Sequence, residues 1–379
     1  MADQIYLDHA ATTPLSQHAL EAMLPYLAKE FGNPSSIYHS GRIARNALDG
    51  ARETIAAAFG AHPDEIYLTS GGTESDNWAI RSAGCFGGTR NNLVVSAAEH
   101  HAILHPAEAM CKSGCGLSVL GVDRFCRVSA AELRKAVGER TALVSIMAAN
   151  NEVGTVMPIA ELAETAHEAG ALFHTDAVQA AGHIPLDAER LGVDMLSFSA
   201  HKFGGPKGVG GLYLRRSVRA GPGQLGGGQE RGLRSGTENV AGIVGMAAAL
   251  EESCRSMNES KVKISELRNR LIRGILAIPG TALTGDPEQR LPGSASFLFD
   301  GISGEALVLL LDQNGICTSS GSACSAGALE PSHVLLAMGY SEDAARGSLR
   351  LSLGAENTQT EIDTVLKVLP GIISRLRSE

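Results

Sequence analysis

Short apolar runs alternate with helical stretches along residues 50–255, and this alternation limits the chain more than any other feature of its sequence. The runs are Ile66–Thr69, Leu93–Ser96, Leu117–Leu120, Leu143–Met147, Ala171–His174, Met195–Ser199 and Gly210–Leu214. Between several of them lie Ala- and Glu-rich stretches at helical spacing, such as Ala130–Val137 and Ile159–Ala169. Strands alternating with helices predict an α/β fold with a mainly parallel sheet. Such strands are covered on both faces and so read as unbroken apolar runs, as these do. From Asn239 the pattern turns long and helical, through Ala241–Glu252 and again Val262–Ile278, until Pro279-Gly280 breaks it. Ser294–Phe299 and Leu349–Leu353 then read as strands, Gly304–Asn314 and Thr358–Leu376 as helices. The expectation is a large domain over residues 13–255, with residues 1–12 and 256–379 forming a smaller α+β domain packed closely on it.

With 379 residues, 44% of them hydrophobic, the chain can bury two cores. A formal net charge of -9 leaves no general basic face, so direct nucleic-acid binding is not expected. No apolar run approaches the roughly 20 residues that span a bilayer. The start, Met-Ala-Asp-Gln-Ile-Tyr-Leu-Asp, has no basic region before an apolar stretch and does not read as a secretory signal. A cytoplasmic location follows as the expectation. The seven cysteines, Cys85, Cys111, Cys115, Cys126, Cys254, Cys317 and Cys324, contain no CxxC pair and no zinc-site spacing. They fit a reducing compartment, and no resident metal is expected. Most read as small buried thiols, Cys317 at a strand end among them.

Three strand-end motifs carry chemistry. Ser197-Phe198-Ser199-Ala200-His201-Lys202-Phe203-Gly204-Gly205-Pro206 places a lysine between a strand and a glycine-rich turn. Desolvation there would lower its pKa and let a neutral amine join an aldehyde cofactor; a plain surface lysine is the other reading. Phe173-His174-Thr175-Asp176 ends a strand with a carboxylate that either caps the following helix or keeps a pyridine nitrogen protonated. Thr69-Ser70-Gly71-Gly72-Thr73 joins a strand to a helix whose free N–H groups suit a phosphate. It is neither a Walker loop nor G-x-G-x-x-G. Ligands of open α/β sheets bind at the carboxyl ends of strands, which puts the three motifs on one rim.

Together these motifs resemble the cysteine desulfurases of the NifS/IscS type, in the class V aminotransferase branch of the fold-type I pyridoxal-phosphate (PLP) enzymes. The resemblance also runs through Tyr6-Leu7-Asp8-His9-Ala10-Ala11-Thr12-Thr13, Gly32-Asn33-Pro34-Ser35-Ser36, Glu99-His100-His101 and Asn150-Asn151-Glu152-Val153-Gly154. It continues through Arg234-Ser235-Gly236-Thr237-Glu238-Asn239, Ser319-Ser320-Gly321-Ser322-Ala323-Cys324-Ser325 and Arg350-Leu351-Ser352-Leu353-Gly354. It implies that Lys202 carries PLP and then moves the substrate α-proton, while Asp176 pairs with the pyridinium. Gln179 would bond the ring oxygen, and His100 would stack on the ring and move protons as a catalytic residue. Gly72, Thr73, Ser199 and His201 would hold the phosphate, with Thr237 reaching in from a second copy of a homodimer. Asn33, Asn151 and Arg350 would meet the substrate, with Asn151 also touching the cofactor. Simpler readings stand beside these: His100 as a satisfied loop histidine, Arg350 as a surface ion-pair partner, Thr237 as an N-cap.

Cys324 lies in a run of small residues, Thr318 to Gly327, without apolar periodicity, which predicts an exposed, mobile loop. The resemblance makes it the persulfide carrier for sulfur taken from L-cysteine, with L-alanine released. The sulfur acceptor is expected to be an iron-sulfur scaffold or a tRNA-thiolation enzyme, any cluster meeting Cys324 only transiently. The chain stops soon after its last helix, which favours a NifS-like or tRNA-thiolation role over the longer IscS-type members. The alternatives are a selenocysteine lyase, another class V aminotransferase, or a non-catalytic sulfur-relay scaffold.

Overall fold

The computed structural model describes residues 4–83, 90–321 and 330–378. At its centre is a seven-stranded sheet. In spatial order its strands are Ile66–Thr69, Gly210–Leu214, Met195–Ser199, Leu172–Asp176, Thr141–Ser145, Asn92–Ser96 and Gly116–Leu120. Of these, Gly210–Leu214 runs antiparallel to both neighbours, and the others share one direction. Thr141–Ser145, Met195–Ser199 and Gly210–Leu214 are buried at every position, so their sequences show no polar alternation. The strand expected at 143–147 starts at Thr141 and ends at Ser145, and the one expected at 171–174 runs on to Asp176. Past the regular ladder, the N–H groups of Ile146 and Ala148 still donate to the carbonyls of His174 and Asp176.

Strands of one direction bring their carboxyl ends to one rim. Thr69 and Ser199 both pair with Gly210, and Asp176 pairs with Ser197. The residues expected to do chemistry are therefore fixed in register with one another. Gly210 has to lack a side chain: a Cβ there would lie 2.6 Å from the Gly71 Cα of the neighbouring turn.

The two helical stretches expected after Asn239 are one helix of 37 residues, Val240–Leu276. Its middle is polar but contains neither Gly nor Pro, so the hydrogen-bond ladder continues for about 55 Å. The expected division at 255/256 falls inside it. Its first half buries Ile243, Met246 and Leu250 in the large core, against helices Gln17–Ala28 and His39–Ala58. Its second half buries Ile264, Leu271 and Ile275 in a separate core with Leu7, Phe297, Leu349 and Leu369. That second core lines a three-stranded antiparallel sheet of Ser348–Ser352, Ser294–Phe299 and Thr281–Leu283.

The N-terminus links the two regions. Strand Ile5–Tyr6 pairs in parallel with Ile316–Cys317 beside the second core, while the Thr13 N–H donates to the His201 carbonyl at 2.9 Å. Residues 8–12 thus cross the rim next to Lys202. Among the described residues no helix is long and apolar enough to cross a membrane.

Candidate active site

The rim encloses a cavity of about 280 Å³ whose lining includes Gly72, Thr73, His100, Asn151, Asp176, Gln179, Ser199, His201, Lys202 and Arg350. Residues read from distant motifs thus share one space. A larger groove of about 710 Å³ beside the edge strand Gly116–Leu120 gathers scattered charges such as Asp123 and Lys135, and none of the predicted site residues.

One end of the cavity suits an anion. The 12-residue helix Gly72–Ala83 begins there, and a helix start leaves its first N–H groups without partners inside the helix. Gly71 has φ 152°, which L side chains rarely adopt, and a Cβ on Gly72 would lie 2.5 Å from Val178 Cγ2. Both glycines are therefore required for the turn to sit this close. Glu74 would repel an anion, but Arg234 holds it at 2.8 and 3.1 Å. Burial and the nearby cations Lys202 and Lys207 push His201 down to about 4, so its ring is neutral at physiological pH.

A neighbouring wall of the same cavity suits a cation. Asp176 is 6% exposed and accepts the Val178 N–H at 2.8 Å. Asp76, 1% exposed, adjoins it, and Asp76 Oδ1 has no hydrogen-bond partner. Burial raises both carboxyls, and the Asp176 charge also opposes the ionisation of Asp76. His174 lies beneath, held between the hydroxyls of Ser145 at 2.8 Å and Ser197 at 2.9 Å. Full burial pushes it down to about 3, so it supplies no charge. Two desolvated carboxyls, one with an unsatisfied oxygen, are what a protonated ring nitrogen would relieve. With the helix start in the same cavity, these groups fit a phosphorylated pyridine.

Lys202 lines the same cavity, on a short turn after strand Met195–Ser199. Its Nζ donates to the carbonyls of Ala10 at 2.5 Å and Ala11 at 2.9 Å, and the Gln179 amide donates to the same Ala10 oxygen at 2.9 Å. The simpler reading of His100, a satisfied histidine, holds. Its Nδ1 accepts the Ala102 N–H at 3.0 Å, capping helix His101–Lys112, and its ring also lines the cavity. Burial and the Lys202 charge push it down to about 4.

Arg350 is no surface ion-pair partner: it is 2% exposed. Its guanidinium donates to the Asn151 carbonyl at 3.0 Å and to Asp8 at 2.9 Å, and its Nε is buried without a partner. Two predicted residues lie elsewhere, and one is outside the described residues. Thr237 and Asn33 are exposed and do not line the cavity, and Cys324 falls in residues 322–329, outside the described residues. The N-cap reading of Thr237 fails, because Asn239 caps the long helix by accepting the Gly242 N–H at 3.0 Å. The described cysteines 111, 115, 126, 254 and 317 are free thiols, and burial pushes Cys126 and Cys317 upward, away from reactivity.

Residues 5–365 match the aminotransferase class-V family. The chain belongs to that family. It is 49% identical over 375 residues to cysteine desulfurase IscS of Methanosarcina thermophila, covering 99% of this chain and 93% of that protein. Among solved structures it resembles a NifS-like protein with a TM-score of 0.93 and 39% identity, over 98% of this chain and 100% of that one. SspA in complex with cysteine aligns with a TM-score of 0.82 and 33% identity, over 93% and 100%.

Within this class-V site the sequence reading assigned no role to Asp8, Asp76 or His174. Asp76 had a usable signal: it follows Thr73 by three residues and so shares its helix face. Asp8 lies 342 residues from Arg350, and only the fold joins them.

Proposed function

We propose that this class-V enzyme is a cysteine desulfurase that takes sulfur from L-cysteine, releases L-alanine and holds the sulfur as a persulfide on Cys324. The observation that carries the reading is one cavity in which a strand-end lysine, paired buried acids, a glycine-built helix start and an under-bonded arginine converge. The cofactor is pyridoxal 5'-phosphate, which supplies an electron sink for bond changes at the substrate Cα. Gly72, Thr73, Ser199 and His201 would hold its phosphate, Asp176 and Gln179 its ring, and Lys202 its aldehyde carbon.

The chain's own residues then divide the work. Arg350 and the Asn151 side chain take the substrate carboxylate, which orients the Cα–H toward Lys202. The Lys202 amine removes that proton and holds it for return. The Cys324 thiolate attacks the substrate sulfur. A sulfur–sulfur bond forms as the Cβ–sulfur bond breaks, its electron pair goes to carbon, and a proton completes the methyl group of alanine. Substituting Cys324→Ala should leave the visible absorption of the bound cofactor intact and abolish alanine formation from cysteine without any keto acid. Alanine production at the wild-type rate by that variant would sink the persulfide step.

A second copy of the chain completes the site in this reading. Phe31 is 80% exposed, Ile37 90% and Leu225 82%. Arg45 donates to the Pro34 carbonyl at 3.2 Å and lies 3.7 Å from Glu238, so the segments bearing Asn33 and Thr237 share a face. Ile37→Asp should give a monomer in sedimentation with at least about tenfold weaker cofactor retention. The acceptor is an iron-sulfur scaffold or a tRNA-thiolation enzyme in the cytoplasm, where the free described thiols stay reduced.

A further inference from the structure

We propose that Asp8 is a positioning residue for this reaction: its carboxylate holds the Arg350 guanidinium where it can meet the substrate carboxylate. The inference rests on the reading above, in which Arg350 takes that carboxylate. Asp8 Oδ1 accepts a hydrogen bond from Arg350 Nη2 at 2.9 Å, and the Asn151 carbonyl accepts one from Nη1 at 3.0 Å. Arg350 lines the cavity and Asp8 does not, so Asp8 reaches a bound molecule only through the arginine.

The fold brings the pair together from 342 residues apart, and the backbone around Asp8 leaves the acid little freedom. Leu7 donates its N–H to the Cys317 carbonyl at 2.9 Å and accepts the Ser352 N–H at 2.8 Å. His9 donates to the Ser352 carbonyl at 3.2 Å. Asp8 is thereby laid alongside Ser352, on the strand that carries Arg350. The Asp8 carbonyl accepts the Ala11 N–H at 3.0 Å and the Tyr6 hydroxyl at 3.1 Å, which closes a turn over residues 8–11. The Ala10 N–H donates to Ser352 Oγ at 2.8 Å, and the Ala10 and Ala11 carbonyls accept from Lys202. One turn, seated on the strand of Arg350, therefore makes contacts to both Arg350 and Lys202.

Stability does not account for the pair. The Arg350 side chain is 3% exposed and that of Asp8 18%. Removing a guanidinium from water is costly, and apolar residues of similar volume often fold at least as well as a buried ion pair. The buried Nε without a partner adds a penalty that a purely structural arginine has no reason to carry. What the pair supplies is an arginine already held in one rotamer. A free arginine loses that rotamer freedom on meeting its ligand and binds the more weakly for it.

The test uses the PLP-loaded protein and two ligands, L-alanine and ethylamine, which differ only in the carboxylate. Binding is read from the absorption of the bound cofactor. In Asp8→Ala the Kd for L-alanine should rise about tenfold, as for a lost hydrogen bond to a charged group, and that for ethylamine should stay within about twofold. The KM for cysteine should rise by a similar factor, with cofactor absorption unchanged in the absence of ligand. Asp8→Asn keeps an acceptor for Nη2 and should recover most of the L-alanine affinity. Asp8→Glu keeps the charge but displaces the acceptor by one methylene, and should behave like Asp8→Ala. Equal losses for L-alanine and ethylamine mark a structural role and overturn the inference. So does unchanged L-alanine binding in Asp8→Ala. Asp8→Asn that binds L-alanine as weakly as Asp8→Ala also overturns it, because charge rather than placement is then the cause. If Asp8→Ala does not fold, Asp8→Glu and Asp8→Asn decide by the same readouts. Wild type that binds L-alanine in preference to ethylamine but forms no alanine from cysteine defeats the desulfurase reading and leaves the inference standing.

Discussion

At the end of the cavity nearest the large sheet, Asp176, Ser199 and the Gly72–Thr73 turn hang from the ends of strands buried on both faces. At the other end Arg350 comes from the middle of an antiparallel strand, paired with Ser296 and held by Asp8 and the Asn151 carbonyl. The first end holds desolvated acids beside a helix start, with Lys202 the cation that favours the Asp176 charge, and the second is a desolvated cation whose Nε has no partner. Each end is charged against the molecule it receives, and each is organised before that molecule arrives. The difference is one of support. Backbone register fixes the acids, whereas a few side-chain bonds between distant segments fix the arginine.

The largest effect should come from Asp176→Asn, which keeps the shape and the acceptor for Val178 but cannot balance a ring cation. Turnover should fall about 10²- to 10³-fold in steady-state assays, with the cofactor still bound. Survival of full turnover would break the assignment of this end to the cofactor. Arg350→Lys should act on the other end alone. A compact ammonium lacks the planar fork that lets the guanidinium reach Asp8 and the Asn151 carbonyl from separate nitrogens while serving the substrate. The KM for cysteine should rise about ten- to a hundredfold, the range for a lost hydrogen bond to a charged group, with cofactor absorption unchanged. Loss of cofactor instead would mean that the two ends are one unit.

The same contrast decides what the sequence made legible. Strands covered on both faces betray themselves as apolar runs, and residues at their ends are placed by that fact alone. Lys202, Asp176 and Thr73 could therefore be assigned to one rim before any geometry was known. Buried acids leave no such trace. Glu99 and Glu152 look in the sequence like any surface carboxylate, because only tertiary packing removes their water. Local propensity also could not decide between Thr237 and Asn239 as the cap of the long helix, two suitable residues two positions apart. Nor did the polar stretch after Glu252 signal that the helix continues, since exposure without Gly or Pro does not end one.

The smallest effect tests whether the acid end is costly to fold. Glu99 is fully buried behind the cavity. Its Oε1 accepts the Ser96 hydroxyl at 2.6 Å and the Met147 N–H at 2.9 Å, while Oε2 has no partner. Burial pushes its carboxyl from 4.5 up to about 8. Below 4.5 both folded and unfolded chains hold the proton; between 4.5 and about 8 the unfolded chain gives it up and the folded chain keeps it. Stability contributed at this site therefore declines as pH rises through that window and levels off above it. The buried histidines His100, His174 and His201 work in the opposite sense, but only below 6.5, where the unfolded chain would gain protons that the folded chain refuses. The interval from 6.5 to about 8 isolates the raised carboxyls. There the wild-type Tm should drop with pH, and Glu99→Gln, which cannot ionise, should drop less by a few degrees in calorimetric scans. Gln leaves one amide proton unsatisfied, so its Tm at pH 6.5 should be lower than wild type while its slope is shallower. Equal slopes in the two proteins would show that Glu99 ionises freely in the fold, and that the acids behind the cofactor end are better compensated than their burial implies.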